Sequence, residues 1–250
     1  MSAAPTLVWR PGCASCRAAK EFLTTNGVEF ESVNPVEVDG QARWEQLGRP
    51  RIPSLVVDGH TTAIYHVSQV ASLLGMTPAS SAESVRLAWD LAAVLEAWSD
   101  QLAAIDFETM IAPTPSRGRT IRNLTVNVHE PVHEMTVAWE HGTFTWDTDR
   151  DEGRADRLED EQAVRSYAEA KTAEWIMFLT DLGDELGRRR ADVQAGAERL
   201  SFDALLDAQR FHAAFHYRQL TTSLAQRGEA GPPPLQLDRL DGLRLPETVF

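Results

Sequence analysis

The chain has 250 residues, 43% of them hydrophobic, which is enough for one large domain or two smaller ones whose cores need no disulfides. A formal net charge of −13 excludes a nucleic-acid partner, since phosphate binding needs clustered Lys and Arg. No apolar run approaches the ~20 residues of a membrane span and no basic-then-apolar leader opens the chain, so a reducing cytoplasm is the expected setting.

The first 77 residues read as alternating strands and helices. TLVWR (6–10) is a compact apolar run that reads as a strand, followed by a Pro-Gly turn. CASCRAAKEFLTTNG (13–27) favours a helix, with Asn26-Gly27 as its stop. VEFESV (28–33) alternates as a strand does, and QARWEQLG (41–48) is a helical connection. SLVVDG (54–59) and TTAIY (61–65) flank Asp58-Gly59, a hairpin signal, and VSQVASLLG (67–75) is a short helix stopped by Gly75. The predicted order is β-α-β-α-β-β-α.

Cys13 and Cys16 are the only cysteines, so a four-cysteine zinc site is excluded for a monomer. In a reducing compartment C-x-x-C reads as catalytic or metal-binding more readily than structural. A thiol at the start of a helix faces unpaired backbone N–H groups and the positive end of the helix dipole, which favour the nucleophilic thiolate. Cys13 is then the exposed attacker and Cys16, one turn further in, the resolving thiol. The plain alternative is two ordinary buried thiols.

From Ser80 onward long segments of helical period take over, and TPASSAES (77–84) is the natural linker. Ser80 with Glu83 forms a capping box, and Val85, Ala88, Leu91, Leu95, Trp98, Leu102 and Ile105 make one apolar face. Further helical segments are expected over about 120–139, 161–186 (with Ile176, Leu179 and Leu186 on the buried side) and 201–226, the last with Ser201 as its N-cap. Four such segments suggest a four-helix bundle. Domains are expected at 1–77, 78–229 and 230–250, the last a Pro-rich tail packing back on the bundle. The acidic stretch WDTDRDEGRADRLEDE (146–161) reads as a solvated loop without the spacing of an EF-hand. Trp9, Trp89, Trp98, Trp139 and Trp175 read as core or pocket-lining, and His60, His66 and His141 as surface or capping residues.

FHAAFHYRQL (211–220) puts His212 and His216 one turn apart on one helical face, which Gln219 extends and which Leu205, Gln209 and Ser223 share. Two imidazoles so spaced can chelate one metal ion with a third ligand from another element, although such pairs also arise by chance. NVHEPVHEM (127–135) offers His129 and His133, with Pro131 between them expected to kink or restart the helix.

The order β-α-β-α-β-β-α with C-x-x-C at the first strand–helix turn resembles a glutaredoxin over about residues 5–77. In RIPSLVVDG (51–59) the pair Ile52-Pro53 falls where that family has a cis-proline whose preceding backbone contacts the bound thiol. Ala14-Ser15 replaces the family's usual Pro-Tyr, and the Gly-Gly turn that helps hold a tripeptide thiol is missing. Residues 82–225 resemble the DinB-like (YfiT-like) bundles. That resemblance implies a divalent metal held by one histidine of the second helix and an H-x-x-x-H pair of the fourth. His212, His216 and Gln219 match H-x-x-x-H-x-x-Q. In IRNLTVNVHEPV (121–132) the family's L-x-x-x-H pattern is taken up by Leu124 and His129, which makes His129 the third ligand and His133 the reserve. Three histidines leave coordination positions open for a water or thiol.

The expected fold class is α/β plus all-α, a thioredoxin/glutaredoxin-like domain followed by a DinB-like four-helix bundle. The expected function is a metal-dependent S-transferase, lyase or isomerase using a low-molecular-weight, mycothiol-like thiol, with a fused domain reducing mixed disulfides through Cys13 and Cys16. The alternative is a thiol–disulfide oxidoreductase whose bundle is a docking or sensing module. Zinc is the first expected metal, with nickel or iron behind it. The expected partners are a small thiol and an electrophilic substrate, with neither nucleic acid nor membrane; self-association into a homodimer is left open.

Overall fold

The computed structural model describes residues 4–11, 13–64, 70–71, 73–75, 81–115, 118–145, 153–183, 185–188, 191–196, 198–229, 231–237, 240, 243, 245 and 246. The chain divides into two compact units, Met1–Ala79 with Arg244–Thr248, and Ser80–Leu243 with Val249–Phe250. The break between 79 and 80 lies within the expected linker. Of the expected tail, 230–243 and 249–250 fall in the second unit and 244–248 in the first.

In the first unit β1 (Thr6–Val8), α1 (Ala14–Thr25), β2 (Glu31–Val33), α2 (Val38–Gln46), β3 (Ser54–Val57) and β4 (His60–Ala63) follow the predicted order. The sheet order is β2-β1-β3-β4, with β1 parallel to β2 and antiparallel to β3. Parallel β1 and β2 need a crossover, and α1 supplies it, ending at Asn26 and at Gly27 with φ +66. Asp58 and Gly59 both have positive φ (50 and 80), the primed-turn geometry that matches strand twist and closes the β3–β4 hairpin. Leu7, Ala19, Leu23, Leu55, Ile64 and Val70 form the core. The predicted last helix falls partly outside the described residues, as do His66 and Ser80.

In the second unit the principal helices are α3 (Ser81–Ala103), α5 (Ile121–His141), α6 (Glu161–Leu182) and α8 (Phe202–Arg227), and α3 packs on α6 and α8 while α5 packs on the same two. Their starts are written in the sequence. The Thr120 and Asn123 side chains cap each other's backbone N–H groups, and Asp160 and Ser201 accept from the N–H groups three residues on. Ala88, Leu91, Leu95, Trp98, Leu102 and Ile105 are buried as expected, while Val85 lies half-buried. No helix among the described residues is long and apolar enough to cross a membrane.

Several expectations are corrected. Pro131 does not divide its helix, which runs unbroken from Ile121 to His141. The third helix ends at Leu182, where Gly183 takes φ +48, and Leu186 belongs to the separate short helix α7 (Glu185–Arg188). Ile176 is half-buried, whereas Trp175 and Leu179 fill the core. A short helix α4 (Phe107–Ile111) and a three-stranded sheet of β5 (Thr143–Phe144), β6 (Asp192–Ala195) and β7 (Glu198–Ser201) were not foreseen. Trp98, Trp139 and Trp175 are core, but Trp89 is 46% exposed. Of the acidic stretch, 146–152 lies outside the described residues. Its later part is not simply solvated: Ala155 is buried, Arg154 pairs with the buried Glu130 of α5, and Asp156 accepts from Arg122 at 2.8 Å. Near the tail, Pro232 C=O accepts from Gln101 at 2.9 Å and Leu235 N–H donates to the Tyr217 hydroxyl at 3.0 Å, which holds that part against the bundle.

Candidate functional site

Cys13 is the N-cap residue of α1, and its sulfur accepts the Cys16 N–H at 3.2 Å. The two form a disulfide with Cα atoms 5.2 Å apart, within the usual range for such a bridge. Cys13 is half-buried and Cys16 has no solvent exposure, which matches an attacking and a resolving role. The strand–turn–helix connection produces this: β1 delivers the chain to the end of the sheet and α1 starts beside it.

The register pairs Val8 with Ser54, so the C-terminal end of β1 and the N-terminal end of β3 lie side by side. Ile52 and Pro53, joined by a cis peptide bond, precede Ser54 and therefore lie at the same end of the sheet as the turn into Cys13. Two further residues stand near that turn. The Lys20 ammonium lies 3.7 Å over the Trp9 ring, whose indole N–H donates to the Ser32 hydroxyl at 2.8 Å. Lys20 follows Cys13 by seven positions and shares its face of α1. Nothing in the local sequence marks Trp9 and Lys20 as partners, because they meet only once the helix folds back on the strand.

In the bundle, the rings of His212 and His216 meet edge to face with centroids 4.6 Å apart. His216 Nδ1–H donates to Gln219 Oε1 at 2.6 Å, which leaves Nε2 as its lone-pair nitrogen, the arrangement in which a second partner orients an imidazole. Burial holds His212 well below the usual imidazole range, and the nearby charges of His216 and Arg119 act in the same direction. Arg119 Nη1 donates to Asn127 Oδ1 of α5 at 3.4 Å. The Arg119 charge thus reaches His212 from outside α8, and Asn127 holds the guanidinium; neither residue belongs to a motif recognised in the sequence.

His129 stands elsewhere. It is fully buried, its Nδ1–H donates to the Thr125 carbonyl at 2.8 Å, and its ring contacts Trp98 and Tyr167. Burial pushes its pKa down to about 4. Its Nε2 has no hydrogen-bond partner among the described residues. Beside it, buried Glu130 accepts from Tyr167 at 2.6 Å and pairs with Arg154. His133, the reserve ligand, faces α6, with Nδ1 2.5 Å from Glu174 Oε1. Burial opposes the ionisation of Glu174, but hydrogen bonds from His133 and Lys171 hold it below the usual carboxylate range.

Among the described residues, no three His, Cys, Asp or Glu side chains group as donors for a metal ion. The expected set of His129, His212 and His216 is therefore not assembled. Leu124 and His129 are five positions apart, one more than L-x-x-x-H requires, and that extra residue turns His129 by about 100° around the helix. The orphaned Nε2 of His129 has the chemistry of a ligand atom, but its surroundings are aromatic rings and not further donors. These residues do not fit a three-histidine metal site.

Residues 6–61 match the family model for glutaredoxin. Among solved structures, the chain is similar to YfiT from Bacillus subtilis, whose structure is described as that of a probable metal-dependent hydrolase with an unusual four-helix bundle topology. The identity is 12% and the TM-score 0.51, and the match covers 61% of this chain and 92% of that one. No curated protein matches the chain. The chain thus joins an N-terminal domain that matches the glutaredoxin model to a helical bundle with the fold of YfiT.

Proposed function

We propose that the protein is a thiol–disulfide oxidoreductase that reduces mixed disulfides of a small, mycothiol-like thiol in a reducing cytoplasm. The observation that carries this is Cys13 as the N-cap of α1 with Cys16 buried one turn behind it, already joined to it as a disulfide. In the reduced protein the Cys13 thiolate attacks one sulfur of the mixed disulfide and expels the other half as a thiolate. Cys16 then gives up its proton and attacks the Cys13 sulfur, closing the protein disulfide and expelling the second thiolate. The substrate gains the two electrons the cysteines lose, and two equivalents of reduced thiol restore the dithiol. Ile52 and Pro53 lie at the same sheet end and supply the backbone against which the thiol-bearing substrate rests. The test is the reduction of a mycothiol mixed disulfide by the full chain: no turnover, with an intact and reducible Cys13–Cys16 pair, overturns the reading.

A second reading is favoured by the His212–His216 pair and by the bundle's likeness to YfiT. In it the bundle is a metal-dependent S-transferase, lyase or isomerase that uses the same small thiol, with zinc as the metal. It requires a donor beyond the pair. Turnover of thiol plus electrophile by a metal-loaded protein supports it, and loss of that turnover on substitution of His212 or His216 ties it to the pair.

A further inference from the structure

The ionised side chains of the first unit are not spread evenly about its sheet. Residues 1–79 hold six basic and seven acidic residues, a net −1 in a chain of −13. At one end of the sheet Val8 lies beside Val33 and Ser54, and the turn into Cys13 leaves from there. At the opposite end Thr6 lies beside Glu31 and Val56. Three acidic residues gather at that far end: Glu29 just before β2, Glu31 as its first residue, and Asp58 in the β3–β4 turn. Arg43 is drawn to them, donating to Glu31 at 2.8 Å, and Arg49 pairs with Glu45 at 2.8 Å.

The other four basic residues belong to the thiol end. Arg10 is exposed and stands three residues before Cys13. The Arg17 N–H donates to the Cys13 carbonyl at 3.1 Å, one helical turn on, and Lys20 continues that face. Helical side chains lean toward the helix N-terminus, and the Lys20 ammonium reaches 3.7 Å over the ring of Trp9, four residues before Cys13. The neutral indole orients that ammonium without cancelling its charge. Arg51 is exposed, and its carbonyl accepts from the Ser54 hydroxyl, which fixes its backbone directly before Ile52 and Pro53. Glu21, the acidic residue of α1, lies a turn beyond Arg17 and further from Cys13. Glu37 and Asp39 stand on the outer, β2 side, where α2 begins, and Glu37 accepts from Asn34 at 2.8 Å.

Charge of one sign around a reacting atom raises the local concentration of partners of the opposite sign and speeds their encounter. The chain beyond residue 79 carries −12, so the molecule as a whole repels an acidic partner and the thiol end draws one in. We propose that Arg10, Arg17, Lys20 and Arg51 select the polypeptide half of the mixed disulfide, favouring proteins whose modified cysteine is flanked by Asp or Glu. The inference rests on the redox reading and adds to it the kind of protein partner, with the small thiol as the other half. The rim acts on encounter and leaves the bonds made and broken by Cys13 and Cys16 unchanged.

The experiment measures single-turnover reduction, by the reduced full chain, of three peptides of equal length. Each carries one cysteine in a disulfide with 2-mercaptoethanol, flanked by Glu, Ser or Lys. Dithiothreitol acting alone on the same peptides gives the intrinsic reactivity by which each rate is divided. At about 10 mM salt, where the Debye length is ~30 Å, the Glu peptide should react at least ~10-fold faster than the Lys peptide, with the Ser peptide between them. At about 1 M salt, where it is ~3 Å, the difference should shrink below ~3-fold. Arg10→Gln combined with Lys20→Gln should remove most of the low-salt preference, whereas Lys20→Arg, which keeps the charge, should retain it. Equal normalised rates for the three peptides, or a preference that survives high salt or the double variant, overturns the inference and leaves the redox reading standing. Reduction of none of the three overturns both.

Discussion

Val8 and Ser54 stand opposite each other in the antiparallel β1–β3 ladder, and that single register relation brings Pro53 and the turn into Cys13 to one end of the sheet. The two segments are some forty residues apart in sequence, yet the thiol chemistry requires both. A slip of one residue would turn every side chain of β3 to the opposite face, and the buried Leu55 would leave the core.

The cysteine roles can be separated by substitution. Cys13→Ser should abolish reduction of a mixed disulfide, whereas Cys16→Ser should retain single-thiol exchange and accumulate the Cys13 adduct, visible by mass spectrometry. In the reduced protein the Cys13 thiol should titrate below the free value of ~8.5, followed by thiolate absorbance in Cys16→Ser. Adduct accumulating on Cys16 instead would reverse the assignment.

His129 predicts a pH dependence of stability. In the unfolded chain it binds a proton below its ordinary value of 6.5, and in the folded chain only below about 4. Between those values the unfolded state holds more protons, so stability is complete above pH 6.5 and falls as the pH drops toward 4. The loss should be of the order of 3 kcal/mol for this fully buried group. His129→Gln should flatten urea-denaturation stability over that window, and a slope equal to that of the unaltered chain would exclude His129 as its source.

The buried carboxylate of Glu130 makes a second stability prediction. Tyr167→Phe removes a hydroxyl that donates to it at 2.6 Å and should cost about 2 kcal/mol, within the range for hydrogen bonds to charged groups. Arg154→Ala should cost more, about 3 kcal/mol, because it leaves that charge without its ion-pair partner. Glu130→Gln should make the Arg154 change much milder, and the double-mutant cycle measured in urea reads the coupling. Additive effects would show that the contact carries no stability.

Metal titration discriminates between the histidines. If the pair binds zinc, His212→Ala and His216→Ala should each lose it, while His129→Ala and His133→Ala should keep it, because His129 contacts aromatic rings and His133 is engaged by Glu174. Metal content by elemental analysis that falls in His129→Ala would place that residue in the site after all.

The elements with local signatures were legible. Asn26-Gly27 and Asp58-Gly59 announce their turns through the left-handed backbone that glycine favours, and Ser201 announces its helix by capping it. The small sheet of β5, β6 and β7 was not legible: β5 is two residues long and finds β6 some fifty residues on, and β6 and β7, though a local hairpin, are four residues each, too short for a readable alternation. At the thiol site the spacing of Cys13 and Cys16 was sufficient. In the bundle, H-x-x-x-H correctly placed His212 beside His216. The third position failed because a helix converts one residue of spacing into a quarter-turn, and the charge that reaches His212 from outside α8 is that of Arg119.

Pro131 lies inside α5 without ending it, and it has no N–H to offer the carbonyl four residues back, that of Asn127. The backbone ladder lacks that one bond at this turn, yet the helix continues through it to His141. The freed carbonyl belongs to Asn127, the residue whose side-chain oxygen meets Arg119, in a segment buried on nearly every side. Where that bond is missing, α5 leans on its neighbours instead: the buried Val128 and Val132 on either side of the proline are what its packing offers in place of the lost backbone contact.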